Sequence, residues 1–191
     1  MRAPPTNAKA GFLLDTSVIS VLAPGRQAHV PAAFAAWLQD HSAQLFLPSI
    51  AVAELAQGID KLRRAGGSER AAQLEVWLDG LIAGYGDRIL PLDAKAVRLA
   101  GRMSDAAVAT GRHPGFADVS IAALARHANL TLLTRNLKHF LPLGVVCQDP
   151  LASADSSSTL DAPRSGRDGD IERRSADIKR VVRKRVLAKR R

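Results

Sequence analysis

Three acidic residues interrupt otherwise apolar phrases of this chain, and a set of that kind could hold a hard divalent cation. Asp15 closes the strand-like run in "GFLLDTSVIS", Glu54 lies inside "IAVAELA", and Asp118 opens "DVSIAALA". A charge among apolar neighbours is costly unless it is paired or binds a cation. Two carboxylates ~4 Å apart repel by about 4 kcal/mol at an effective dielectric near 20, so three brought together require a cation or protonation. Hard oxygen ligands with no His or Cys in the set favour Mg²⁺ or Mn²⁺ over zinc. An ion held in this way is suited to activating water against a phosphodiester. Asn136, which follows "TLLT", can add a carbonyl oxygen. Thr16, Ser17 and Thr134 supply hydroxyls that could orient the acids or cap a helix.

Each acid also has a plainer reading. Asp118 could be a helix N-cap or a first-turn acid favoured by the dipole. Glu54 could face solvent from an amphipathic helix, and Asp15 could cap the helix "TSVIS". The elements that must position them tilt the balance. "GFLLD", "AQLFLPS", "RILPLD", "TLLT" and "GVVC" read as short strands. Between them lie helical stretches: Thr16 to Leu22, "PAAFAAWLQDH" with Pro31 in its first turn, and a long helix from Ser49 to the Gly66-Gly67 stop. A helix from Ser68, "DAKAVRLAGRMSDAAVATG" and "DVSIAALARHA" follow. Ile50, Ala53, Ile59 and Leu62 mark one apolar stripe, and Leu74, Trp77, Leu78, Leu81 and Ile82 another. Strands alternating with helices imply an α/β fold with a parallel sheet. In such a sheet chemistry collects beyond the carboxyl ends of the strands, where all these polar residues fall.

The phrases "FLLDTSVIS", "AVAELAQGI", "FADVSIAALA" and "LLTRNLKHF", in that order and spacing, resemble the PIN-domain family, and specifically its VapC-type ribonuclease toxins of type II toxin–antitoxin systems. The resemblance spans roughly residues 11–149. It implies a PIN-like α/β fold: a parallel sheet of four or five strands flanked by helices, with acids gathered at the strand ends. It also implies Mg²⁺- or Mn²⁺-dependent cleavage of RNA, often tRNA or rRNA, a homodimer, and a cognate antitoxin partner. Asp15, Glu54 and Asp118 match the family's three acids, and Gly58 matches the glycine that follows its Glu. The family often places a fourth acid where this chain has Asn136 or His139, a departure that implies a weaker second metal site. His139 is read as structural rather than catalytic. Arg112, His113, Arg135 and Lys138 are candidates for gripping RNA, with solvated surface charge as the plain alternative.

The 191 residues, 47% of them apolar, suit one domain with an excess, and the single Cys147 leaves no disulfide within the chain. The short polar segment 1–10 reads as an N-terminal extension, 11–149 as the PIN domain, and 150–191 as a Ser/Asp/Gly-rich linker and flexible basic tail. No segment reaches the length of a membrane span, which indicates a soluble, cytoplasmic protein. Twelve of the 27 Lys and Arg and six of the 18 Asp and Glu fall in 151–191, so +6 of the net +9 belongs to the tail. Contact with nucleic acid or a membrane surface is one reading of that charge, and a solvated extension the other. A second function class stays open as well: a PIN-fold RNA-binding or regulatory protein that lacks competent chemistry, suggested by the missing fourth acid.

Overall fold

The computed structural model describes residues 11–26 and 30–152. The expected N-terminal extension over 1–10 and the basic stretch from 153 onward lie outside the described residues.

Five parallel strands form one sheet in the order β3-β2-β1-β4-β5. They are β1 (Phe12–Leu14), β2 (Leu45–Pro48), β3 (Ile89–Leu90), β4 (Thr131–Leu133) and β5 (Cys147–Gln148). The central strand β1 pairs with β2 through Phe12–Leu45 and with β4 through Leu13–Leu132. Gly11 leads into β1 where space is short. A Cβ there would stand 2.8 Å from Leu130 and 3.2 Å from the Gln44 carbonyl.

Alternation along the strands builds two cores, because successive side chains point to opposite faces. Leu13 and Leu132 enter one core with Ala96, Ala100 and Met103 of helix α5 (Ala94–Val108) and Val119 to Ala125 of helix α6 (Phe116–His127). Leu14, Leu45, Leu47 and Leu133 enter the other with Val18 and Ile19 of α1 (Thr16–Ile19), Phe34 of α2 (Ala32–Asp40) and Ala51 of α3 (Ser49–Arg64). Helices therefore cover both faces, as the alternating pattern predicts. The seven residues Val119–Ala125 are all buried, which explains why α6 reads as apolar on every side.

Helix α4 (Ser68–Tyr85) packs on α3 through Ala71, Leu74, Trp77, Leu78 and Leu81 against Val52, Leu55, Ala56, Ile59 and Leu62. Most of the two apolar stripes read from the sequence lie in this contact and cover each other. Three members of the expected stripes fall outside: Ile50 packs against the core that holds Leu13, Ala53 is exposed and Ile82 is 38% exposed. The last strand also starts later than expected. Gly144, at φ +66°, closes a turn after Pro142, so pairing is made by Cys147–Gln148 rather than by "GVVC". Pro31 precedes the first helical residue of α2 instead of occupying it. Among the described residues, no helix is long and apolar enough to cross a membrane.

Candidate functional site

The sheet order reverses at β1 and β4: the chain runs outward from β1 to β2 and β3, and on the other side from β4 to β5. Crevices form at the carboxyl ends of strands where the order reverses, and ligands bind there in open α/β sheets. Asp15 and Thr134 are the residues that follow β1 and β4 at this point, and the Asp15 amide donates to the Leu133 carbonyl at 2.9 Å.

Asp15 is buried, with 4% of its surface exposed. Three donors converge on its Oδ2: the Ser17 hydroxyl at 2.5 Å, the Thr134 hydroxyl at 2.8 Å and the Ser17 amide at 3.4 Å. The last of these makes Asp15 the N-cap of α1, so the capping role and the buried charge belong to the same residue. Because every one of these bonds falls on Oδ2, Oδ1 is left for another partner. A second layer holds the donors: the Arg135 amide donates to Ser17 Oγ at 3.1 Å, and the Asn136 amide to Thr134 Oγ1 at 3.0 Å.

Glu54 sits half-buried on α3, and its Oε2 accepts the Thr16 hydroxyl at 2.5 Å. Thr16 and Ser17 thus tie Glu54 and Asp15 to the same turn of α1. Asp118 lies in the first turn of α6, where Gly115 rather than Asp118 is the N-cap. Its Oδ2 accepts from Nδ1 of His139 at 3.1 Å. His139 belongs to α7 (Leu137–Phe140), which starts at Asn136, so one line of contacts links Glu54, Asp15, Thr134, Asn136, His139 and Asp118. The histidine read as structural from sequence is therefore an exposed partner of a candidate acid.

The three acids do not converge on one point. Among the described residues, no three His, Cys, Asp or Glu side chains stand close enough to hold a metal ion together. Each of the outer acids has its own local partner instead: Glu54 accepts from Thr16 and Asp118 from His139. Glu54 and Thr16 line an open groove of about 590 Å³ with Gly58, Leu55, Arg26 and Arg70. Asp118 and His139 line a separate cleft of about 300 Å³ with Arg112, His113 and Lys138. Three of the four expected RNA-gripping residues therefore share a cleft with Asp118. Arg135 is exposed and contributes its amide on the Asp15 side. Asn136 is exposed and enters the network through its backbone.

The donor chemistry suits a small hard cation, since Mg²⁺ is commonly bound through one or two carboxylates and several waters. Asp15, with one oxygen fixed and the other clear of protein donors, meets that requirement.

Sequence reasoning missed Phe116. In "PGFAD" it precedes Asp118 by two residues, and it is 70% exposed where a core position would be expected of a Phe. A turn-forming Pro-Gly directly before it was the available signal, because it lifts the helix start to the surface.

The PIN domain profile matches residues 12–140. Toxin FitB of Neisseria gonorrhoeae is 31% identical over 141 residues, covering 73% of this chain and 97% of that protein. The crystal structure of FitAcB from Neisseria gonorrhoeae aligns at 30% identity with a TM-score of 0.61, over 73% of this chain and 97% of that one. A member of the VapBC family of toxin–antitoxin systems from Mycobacterium tuberculosis aligns at 25% identity and a TM-score of 0.50, over 73% and 96%. With a profile that runs from β1 through α7 and a relative matched over nearly its whole length, the chain belongs to the PIN domain family.

Proposed function

We propose that the protein is a metal-dependent endoribonuclease and the toxin of a type II toxin–antitoxin system, acting in the cytoplasm on RNA such as tRNA or rRNA. The observation that carries this reading is Asp15. It is a buried carboxylate at the reversal point of the sheet, with all its protein hydrogen bonds on one oxygen. Asp15, Glu54 and Asp118 would hold Mg²⁺ or Mn²⁺, directly or through its waters, with Asn136 nearby. When bound, such an ion polarises the phosphodiester and lowers the pKa of a water.

The chain's own groups do the rest. Ser17 and Thr134 fix the angle of Asp15, Thr16 fixes Glu54, and His139 fixes Asp118. A carboxylate oxygen not engaged by these donors can take a proton from the attacking water. Arg112 and Lys138 would hold the RNA backbone beside Asp118, and Arg135 would approach it from the Asp15 side. The cut would leave a 3′-hydroxyl and a 5′-phosphate, since the ribose 2′-hydroxyl takes no part.

The antitoxin and the homodimer belong to this proposal too. The relatives' names support a toxin with a protein partner. The groove beside Glu54, floored by Leu55, Ile59, Leu74 and Trp77, is a suitable place for that partner to block the acids. With the α3 and α4 faces turned inward, Val76, 74% exposed on α4, is a better starting point for a dimer seam.

A second reading is a PIN-fold RNA-binding or regulatory protein without cleavage. Its support is the separation of Glu54 and Asp118 into two clefts and the Asn at position 136. One experiment divides the two. Purified protein is incubated with total RNA in Mg²⁺ or Mn²⁺, in EDTA, and as the Asp15→Asn variant. Discrete fragments that need metal and vanish in the variant support the nuclease. Intact RNA from folded, partner-free protein supports the binding reading.

A further inference from the structure

We propose that Phe116 is a stacking platform for an unpaired RNA base, set beside a cleft in which Arg112 and Lys138 receive the adjoining phosphate. This inference rests on RNA being the substrate and adds the residue that reads an unpaired base.

The chain holds only eight aromatic residues. Phe34 and Phe140 are buried, and Phe12, Trp37, Phe46, Trp77 and Tyr85 are half-buried in the cores. Phe116 alone is exposed, at 70%. A single exposed apolar side chain is unremarkable by itself. What distinguishes Phe116 is its place. It follows Gly115, which lines the cleft with Arg112, His113, Lys138 and His139, and it stands two residues before Asp118.

The cleft joins two kinds of surface that a nucleotide needs. Arg112 and Lys138 provide positive charge, while Pro114, Pro142 and Leu143 provide an apolar floor. Its volume of about 300 Å³ lies at the small end for ligand sites, the scale of one nucleotide rather than a helix. Unpaired RNA is recognised by stacking its bases on aromatic rings while cationic side chains track the backbone. A duplex could not present a base face to a lone ring, so Phe116 selects for single-stranded segments. A protein partner would also accept an exposed Phe. The cationic neighbours favour a polyanion.

Binding in EDTA separates this inference from catalysis. Fluorescence anisotropy is measured with a labelled, unstructured RNA of about eight nucleotides, within the span of single-strand sites, for wild type and for Phe116→Ala, Phe116→Leu and Phe116→Tyr. The Ala and Leu variants are expected to bind about tenfold more weakly, within the range for loss of one stacked base, and Tyr to restore the affinity. Thermal unfolding should be unchanged, since the ring is not packed. Leu binding as well as Phe would overturn the proposal, because apolar contact without a π-face would then suffice. So would a wild type that does not bind RNA, or an Ala variant that keeps RNA but loses a co-purifying protein. Failure of metal-dependent cleavage with Phe116-dependent binding intact would overturn the nuclease reading alone.

Discussion

The Thr134 hydroxyl donates to Asp15 Oδ2 at 2.8 Å across the join between β4 and β1, and both residues are buried. Thr134 is fully enclosed and also accepts the Asn136 amide, so a single hydroxyl links the acid to the start of α7. Thr134→Val keeps the shape and removes both bonds. A hydrogen bond to a charged group is worth about 1.5–3 kcal/mol, and the stranded groups are expected to cost that much in stability. RNA cleavage should fall further, because Asp15 would lose one of its two hydroxyl donors. Thr134→Ser keeps the hydroxyl and should lose only about 1 kcal/mol for the missing methyl. Urea unfolding and cleavage rate on the same preparations test this. A Val variant as stable and active as wild type would remove Thr134 from the site.

Much of this architecture was readable from the sequence because the patterns were long. The 16 residues of α3 and the 18 of α4 carry helix periodicity over several turns, and Gly66-Gly67 marks the break between them. Strands β3 and β5, two residues each, are defined by pairing partners far away in sequence, so local pattern places them only loosely. The same division holds at the site. Asp15, Glu54 and Asp118 stand out as charges in apolar phrases. The contact of His139 with Asp118, 21 residues apart, depends on how α7 packs beside α6, and no local signal carries that. Exposure of Ile82 was equally hidden, because hydrophobicity indicates which residues gain from burial and not which surface the fold leaves open.

Asp93 caps α5, accepting the Ala96 amide at 2.8 Å. That bond holds its carboxyl below the usual aspartate range; slight desolvation opposes it, and His127 and Lys95 add to the lowering. A group whose pKa is depressed on folding stabilises the fold above its unfolded value, and that contribution fades as pH falls through the folded value. The window therefore opens near pH ~4 and extends lower. Asp93→Asn keeps the acceptor and should flatten the stability curve in that window, whereas Asp93→Ala should lose stability at neutral pH as well. Urea midpoints for the three proteins between about pH 7 and pH 3 measure this. Parallel acid profiles for wild type and Asn would show that the cap does not titrate on folding.

Ser120 lies in the middle of α6 with no exposed surface, and its hydroxyl has no hydrogen-bond partner among the described residues. An unpaired buried hydroxyl costs about 1–3 kcal/mol, and Ala is the better helix former. Ser120→Ala should therefore raise stability by about 1 kcal/mol with cleavage unchanged. Thermal and urea unfolding report it. A destabilised variant would show that the hydroxyl is satisfied in solution, most simply by a carbonyl one turn back along α6.

The basic stretch after the folded body can be removed cleanly if the cut respects the core. Pro150 is buried and Leu151 packs against the cluster that holds Leu14, Val18 and Phe34, so a cut at 149 would remove packed side chains. A chain ending at Ala152 keeps that packing and still sheds all 12 Lys and Arg of the tail along with its six acids. If the tail touches RNA, its removal should weaken binding at low salt. The slope of log affinity against log salt should also shrink by roughly 0.7 for each lost phosphate contact. The fragments cut from total RNA should stay the same, because Asp15, Glu54 and Asp118 are untouched. Anisotropy in EDTA across a salt series compares the two chains, with a third ending at Asp149 as a control expected to unfold more easily. An unchanged slope in the Ala152 chain would place all the RNA contacts on the folded body, with Arg112, Arg135 and Lys138 the first to replace.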